Sequence, residues 1–149
     1  MPNTYNLVYQ LSIPFQGQPG AVTNTVAGSV TVTPAATRQP PYVVPYGPAG
    51  GVKVCGDVVM SISIIDAPTG NNTLYPVGLA VQYAGVRTRP NPAIFPLATV
   101  SAAAPTLITL GDNSDLDTPA NSYEFVVLFQ DANGYFGTLD PRIVNDGEG

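Results

Sequence analysis

The densest run of chemically capable side chains is Asp112-Asn113-Ser114-Asp115-Leu116-Asp117. Carboxylates and amides are hard oxygen donors, and calcium takes roughly six to eight such oxygens. Asp112, Asn113, Asp115 and Asp117 are therefore the candidate calcium ligands. The run is not an EF-hand, because its sixth position is not Gly and no Glu follows at the twelfth. Without an ion, the same residues read as a solvated turn with aspartates capping backbone N–H groups.

Catalytic chemistry finds little material. The chain has no histidine, so Ser-His-Asp and Cys-His arrangements cannot form and zinc loses its commonest nitrogen ligand. Glycoside hydrolysis needs two carboxylates facing across a cleft. The only glutamates are Glu124, on the polar face of a patterned strand, and Glu148, in the tail. Asp57, Asp66, Asp131 and Asp140 stand in turn contexts, where aspartate does structural work. No catalytic residue, no enzyme and no cofactor other than calcium are expected.

Contact chemistry is better supplied. Tyrosine offers broad, stiff contact area with a polar tip, and Tyr42, Tyr46, Tyr75 and Tyr83 lie in or beside loops. Tyr75 and Tyr83 fit the core face of their own strand. Tyr42, Val43, Val44 and Tyr46 make an unusually apolar segment inside a proline-rich loop, and are the interface candidates. The absence of Trp weakens a sugar-stacking role. Asn71-Asn72-Thr73 matches the glycosylation sequon, by chance if the chain is not exported. Cys55 is the sole cysteine, so no internal disulfide forms, and its valine neighbours suggest a buried, inert thiol.

Charge sets the partners. Only 10% of the residues are charged and 44% are hydrophobic, against roughly 25% charged in ordinary domains. Ten acids oppose five bases for a net charge of −5, and no basic stripe exists to hold nucleic acid. Arg87 and Arg89 are placed to pair with the acidic run. No apolar stretch is long enough for a membrane-spanning helix. Met1-Pro2-Asn3 begins without the basic and apolar segments of a secretory leader. A cytoplasmic protein or an assembled particle is expected, with extracellular use left open.

The elements that must position these residues are strands. Thr4–Ile13 alternates, with Tyr5, Leu7, Tyr9, Leu11 and Ile13 on one face. Ala21–Thr33 places Val22, Val26, Val30 and Val32 together, and Gly28 marks a bulge or a close backbone approach. Pro34–Gly51, with its prolines, reads as an extended loop that either covers a sheet edge or offers a contact surface. Val58, Met60, Ile62 and Ile64 share a face after a break at Gly56-Asp57, and Asp66–Thr73 is a turn. Leu74–Tyr83 puts Tyr75, Val77, Leu79, Val81 and Tyr83 on one side, with Pro76 demoting the strand to an edge. Short strands follow at Ile94–Val100 and Thr106–Leu110. After the acidic loop Gly111–Asn121, Ser122–Gln130 turns back through Asn133-Gly134 into Tyr135–Leu139. Helical periodicity is absent. The expectation is an all-β, single-domain antiparallel β-sandwich of about seven to nine strands spanning residues 1–149, with a closed β-barrel as the alternative. Its tail, residues 145–149, is expected to fray.

The run Tyr123-Glu-Phe-Val-Val-Leu-Phe-Gln-Asp-Ala-Asn-Gly-Tyr-Phe-Gly-Thr-Leu-Asp140-Pro141-Arg-Ile-Val-Asn145 resembles the closing hairpin of bacterial cytosolic β-sandwich proteins of the AidA/PixA inclusion-body type. The likeness covers 23 of 149 residues. The proline- and tyrosine-bearing loop departs from that pattern. The resemblance implies a cytosolic protein that accumulates as ordered inclusions, and it carries over no site residues. Residue chemistry and resemblance together give a non-catalytic, self-assembling subunit of inclusion, filament, coat or virion-decoration type, with a homo-oligomer as its partner. The alternative is a lectin-like module binding calcium, a glycan or both.

Overall fold

Alternation in the first strand builds the centre of the fold. In a computed structural model, which describes residues 3–35, 39–83, 94–95, 98–100, 108–113 and 121–145, β1 runs Asn3–Leu11. Tyr5, Leu7, Tyr9 and Leu11 point inward and are buried, while Thr4 and Asn6 are exposed. β1 pairs on one side with β3 (Ala27–Thr33) and on the other with β6 (Asp57–Ile65). The first sheet has the order β3-β1-β6-β9-β8, with β8 at Ala98–Val100 and β9 at Ile108–Asn113.

The second sheet is built on β10 (Asn121–Gln130). β7 (Tyr75–Tyr83) lies along one side of β10. Along the other side lie β11 (Phe136–Leu139) and β12 (Arg142–Asn145). β2 (Val22–Thr25) pairs with β11, β5 (Val52–Cys55) with β12, and β4 (Tyr42–Pro45) with β5. Tyr123, Phe125, Val127 and Phe129 of β10 turn inward and are at most 2% exposed. They meet the β1 and β6 side chains in one core, with Tyr9 edge-on to Phe125 at 5.9 Å. Each such side chain contributes about 1.5–3 kcal/mol on burial.

The architecture is thus an all-β sandwich of two open sheets rather than a closed barrel. Two features exceed the expectation. The described residues hold twelve strands, and three pairings are parallel: β1 with β6, β2 with β11 and β5 with β12. Both follow from strands that change sheets. Ala21–Thr33 is two strands, β2 in the second sheet and β3 in the first. Val52–Ile65 divides likewise into β5 and β6. Its corner is Gly56, at φ +82°, where a Cβ would press on Pro41 at 2.7 Å.

Gly28 serves both expected purposes. The β1–β3 register skips it between Gln10↔Ser29 and Leu11↔Ala27, and a Cβ there would lie 3.1 Å from the Ser12 Cα. The bulge changes which residues face inward. Val22 and Val26, expected on the core face, are 54% and 56% exposed, whereas Ala27 is buried. Ile13 is likewise 70% exposed, because β1 ends at Leu11 and Ser12 N–H turns to the Val26 carbonyl at 2.9 Å.

The segment Pro34–Gly51 is not loop throughout. Pro40-Pro41 precedes a β-branched pair, and Tyr42–Pro45 adds to β5 as an edge strand. The Tyr46 N–H bonds to the Gly51 carbonyl at 2.8 Å and closes the turn between them. Pro76 sits near the start of edge strand β7, as its missing donor requires. Asp140-Pro141 interrupts β11–β12 without shifting the register, since Val127↔Leu139 and Asn121↔Asn145 keep one frame. Asn145 closes β12 and is fully buried, so fraying does not begin there, and residues 146–149 lie outside the described residues. Among the described residues no helix is long and apolar enough to cross a membrane.

Candidate functional site

The four interface candidates separate. Val43 is fully buried in the core opposite Val54 and offers nothing to a partner. Tyr42 and Val44 are half-buried. Tyr46 is 50% exposed, and the Lys53 Nζ stands 5.7 Å from its ring centroid. That cation–π contact contributes about 0.5–1 kcal/mol at an exposed position. Tyr46 also lines a recess of about 270 Å³ with Glu124, Asp140 and Arg142. Charge therefore gathers at this corner.

The candidate calcium ligands also separate. Asp112 and Asn113 belong to β9, paired with Val58 and Asp57, so the acidic loop does not start at Gly111. Asp112 follows Leu110 at strand period on the inner face and is fully buried. Asp115 and Asp117 lie outside the described residues, as do Arg87 and Arg89. Among the described residues no group of three His, Cys, Asp or Glu side chains is placed to hold a metal. Cys55 is buried, in keeping with an inert thiol.

Asp66 and Asp131 do structural work. The Asp66 Oδ1 accepts from the backbone N–H groups of Phe15 (2.9 Å) and Ala67 (2.8 Å). Its Oδ2 accepts from Asn72 N (3.0 Å) and Asn72 Nδ2 (2.7 Å). Asn72 Nδ2 also donates to the Phe15 carbonyl at 2.8 Å, so both backbone groups of Phe15 are held. Desolvation raises this carboxyl, but the hydrogen bonds from Phe15, Asn72 and Ala67 outweigh it and hold it below its ordinary value. Asp131 Oδ1 accepts from Asn133 N and Tyr135 N at 2.9 and 3.0 Å. Of the Asn133-Gly134 pair, only Gly134 takes positive φ, at +83°. Tyr9 buries its hydroxyl without a hydrogen-bond partner among the described residues, and burial pushes that phenol further up. It stays protonated and inert at neutral pH.

What remains are the neutral strand faces and edges. On the outer face of the first sheet, Thr33, Asn6, Ser61 and Thr109 stand in one row across β3, β1, β6 and β9. Thr31, Val8 and Ser63 form the next row, and Ser29, Gln10 and Ile65 the one beyond. None of these residues is charged. Beside this sheet, among the described residues, β2 pairs only with β11 and has no strand along its other edge. A groove of about 470 Å³ runs there, lined by Ser12–Gln16 and by Thr23, Asn24, Thr25 and Val26. The signal was available: residues 1–37 contain no charged side chain. No family model, no curated protein and no solved structure matches this chain.

Proposed function

We propose that this protein is a non-catalytic, self-assembling β-sandwich subunit of inclusion, filament, coat or virion-decoration type. The observation that carries the reading is the outer face of the first sheet, where three successive rows of hydroxyl, amide and aliphatic side chains stand in register without a charge and the exposed Asp57 lies beyond them at the start of β6. Soluble monomers keep sheet edges and faces apart from their own copies with lysine, other charge or proline. This chain has a single lysine, Lys53, and places it beside Tyr46 at the charged corner. Identical neutral faces repel one another weakly, and hydroxyl and amide groups satisfy each other across a contact. The acids with resolved partners support turns instead of facing a cleft.

Sedimentation velocity over rising protein concentration, with negative-stain microscopy of the most concentrated sample, tests the proposal. Larger species that grow with concentration, and ordered particles on the grid, are expected. A sharp monomer at every concentration refutes it.

A further inference from the structure

The groove beside β2 has a property that identifies its occupant. A pocket over one face of a strand is lined by alternate residues, because side chains alternate between faces. Here the four consecutive residues Thr23, Asn24, Thr25 and Val26 line it. The groove therefore runs along the backbone edge of β2, and the complement of a strand edge is another extended chain.

The edge is also unprotected. β4 carries Pro45 and β7 carries Pro76, while β3 is bulged at Gly28. Val22-Thr23-Asn24-Thr25 has no proline, no charge and no bulge, and its Val and Thr residues favour strand. Apolar side chains collect at both ends. Ile13 and Val26 line the groove, while Val22 and Phe136 pair across β2 and β11 and line an adjoining recess of about 370 Å³. These are four of the seven large hydrophobic side chains exposed among the described residues.

We infer that a second copy of this chain occupies the groove, its β2 adding antiparallel to the first β2 across a two-fold axis and joining the two seven-stranded sheets into one. This rests on the self-assembly reading above and names its contact. A two-fold contact presents the same patch twice, so each β2 is the strand that the other lacks. Charge selects the copy as well. Each chain carries −5 overall, yet neither the segment from Ser12 to Thr33 nor any earlier residue bears a charge. Two copies meeting here bring no like charges together. The groove has no exposed aromatic ring on which a sugar would stack, since Phe15 is 4% exposed.

The test compares the wild-type chain with Val22→Lys, Val26→Lys and the control Val77→Lys. All three positions are exposed, at 54%, 56% and 41%, and Val77 lies on β7 at the other side of the sheet. Sedimentation velocity should show that each β2-edge lysine raises the concentration for half-association by at least about tenfold, while the control does not. Amide hydrogen exchange on the wild-type chain needs no variant: residues 23–26 should gain protection as association proceeds. Association that survives both edge lysines, without protection at 23–26, overturns this contact and leaves self-assembly standing. A wild-type chain monomeric throughout overturns self-assembly itself, and the contact with it. Protection at 23–26 that appears in dilute monomer on adding a neutral oligosaccharide assigns the groove to a glycan and also overturns the proposal.

Discussion

Replacing Asp66 tests whether one carboxylate holds the link between the two sheets. Its four acceptor contacts fasten the Asp66–Thr73 turn to Phe15, whose ring lies edge-on to Phe129 at 5.1 Å. Asp66→Ala leaves the buried Phe15 N–H without its acceptor, which costs about 1–3 kcal/mol. The Ala67 N–H is buried as well, while the two Asn72 donors lie nearer to water and recover part of their bonding; losses within one network do not add in full, so together these contribute roughly 1–2 kcal/mol more. The sum, about 2–5 kcal/mol, is a large share of a typical folding free energy of roughly 5–15 kcal/mol. Asp66→Asn preserves the shape but turns an NH₂ group toward one pair of donors, and should cost about 1–3 kcal/mol. The carboxyl is held below its ordinary value in the folded protein. Its stabilisation is therefore fully present above the unfolded value of about 4 and is lost as pH falls through the lower folded value. Urea denaturation should show the wild-type advantage over Asp66→Asn at neutral pH and its decline in acid below about pH 4. Exchange of the Phe15 amide should accelerate in both variants. An Asp66→Ala cost under about 1 kcal/mol, or a gap to Asp66→Asn that is flat across the acid range, would falsify the clamp.

Two further outcomes follow from packing and charge. Gly137 in β11 lies against two rings, where an added Cβ would stand 2.5 Å from the Phe129 Cζ and 2.7 Å from the Phe15 Cε1. Gly137→Ala should cost about 1–3 kcal/mol by overpacking, seen as a lower urea midpoint; an unchanged midpoint removes the claim that the rings are rigidly seated. Association through the uncharged β2 edge should vary little with added salt, since no charged pair is made or screened there. Association that strengthens steeply with ionic strength would instead locate the contact at the acidic surfaces.

Alternation showed where strands are, but not which sheet each joins. In β10 the reading was complete, because Tyr123, Phe125, Val127 and Phe129 face a deep core without interruption. It failed where an extra residue shifts the phase. The Gly28 bulge lets Thr23, Thr25 and Ala27 occupy inward positions before it, with Val30 and Val32 packed on the core after it. In β7 the register steps from Leu128↔Gly78 to Phe129↔Pro76, and Val77, passed over, is 41% exposed. A bulge leaves the local composition almost unchanged while reversing the faces beyond it, so a period-two count reads straight through. β4 and β12 were hidden for another reason. Each is four residues long beside prolines, and only pairing to a neighbour distinguishes such a segment from loop.

The candidate site was legible as composition and only partly as place. Low charge was visible at once, but net charge says nothing about which surface is bare. The structure divides the surface: Lys53, Glu124, Asp140 and Arg142 gather near Tyr46, while the β2 edge and the outer face of the first sheet bear none of the charges at their centre. Charges separated by more than about 8 Å are largely screened at physiological salt. Repulsion between two chains of net charge −5 therefore depends on which surfaces approach, and among the described residues the β2 edge brings no charge of its own to that approach. That edge also has the backbone groups and the exposed valines to make a contact. The shortage of charge thus acts by location: it leaves one strand edge that neither its own sheet nor its own charges prevent from pairing.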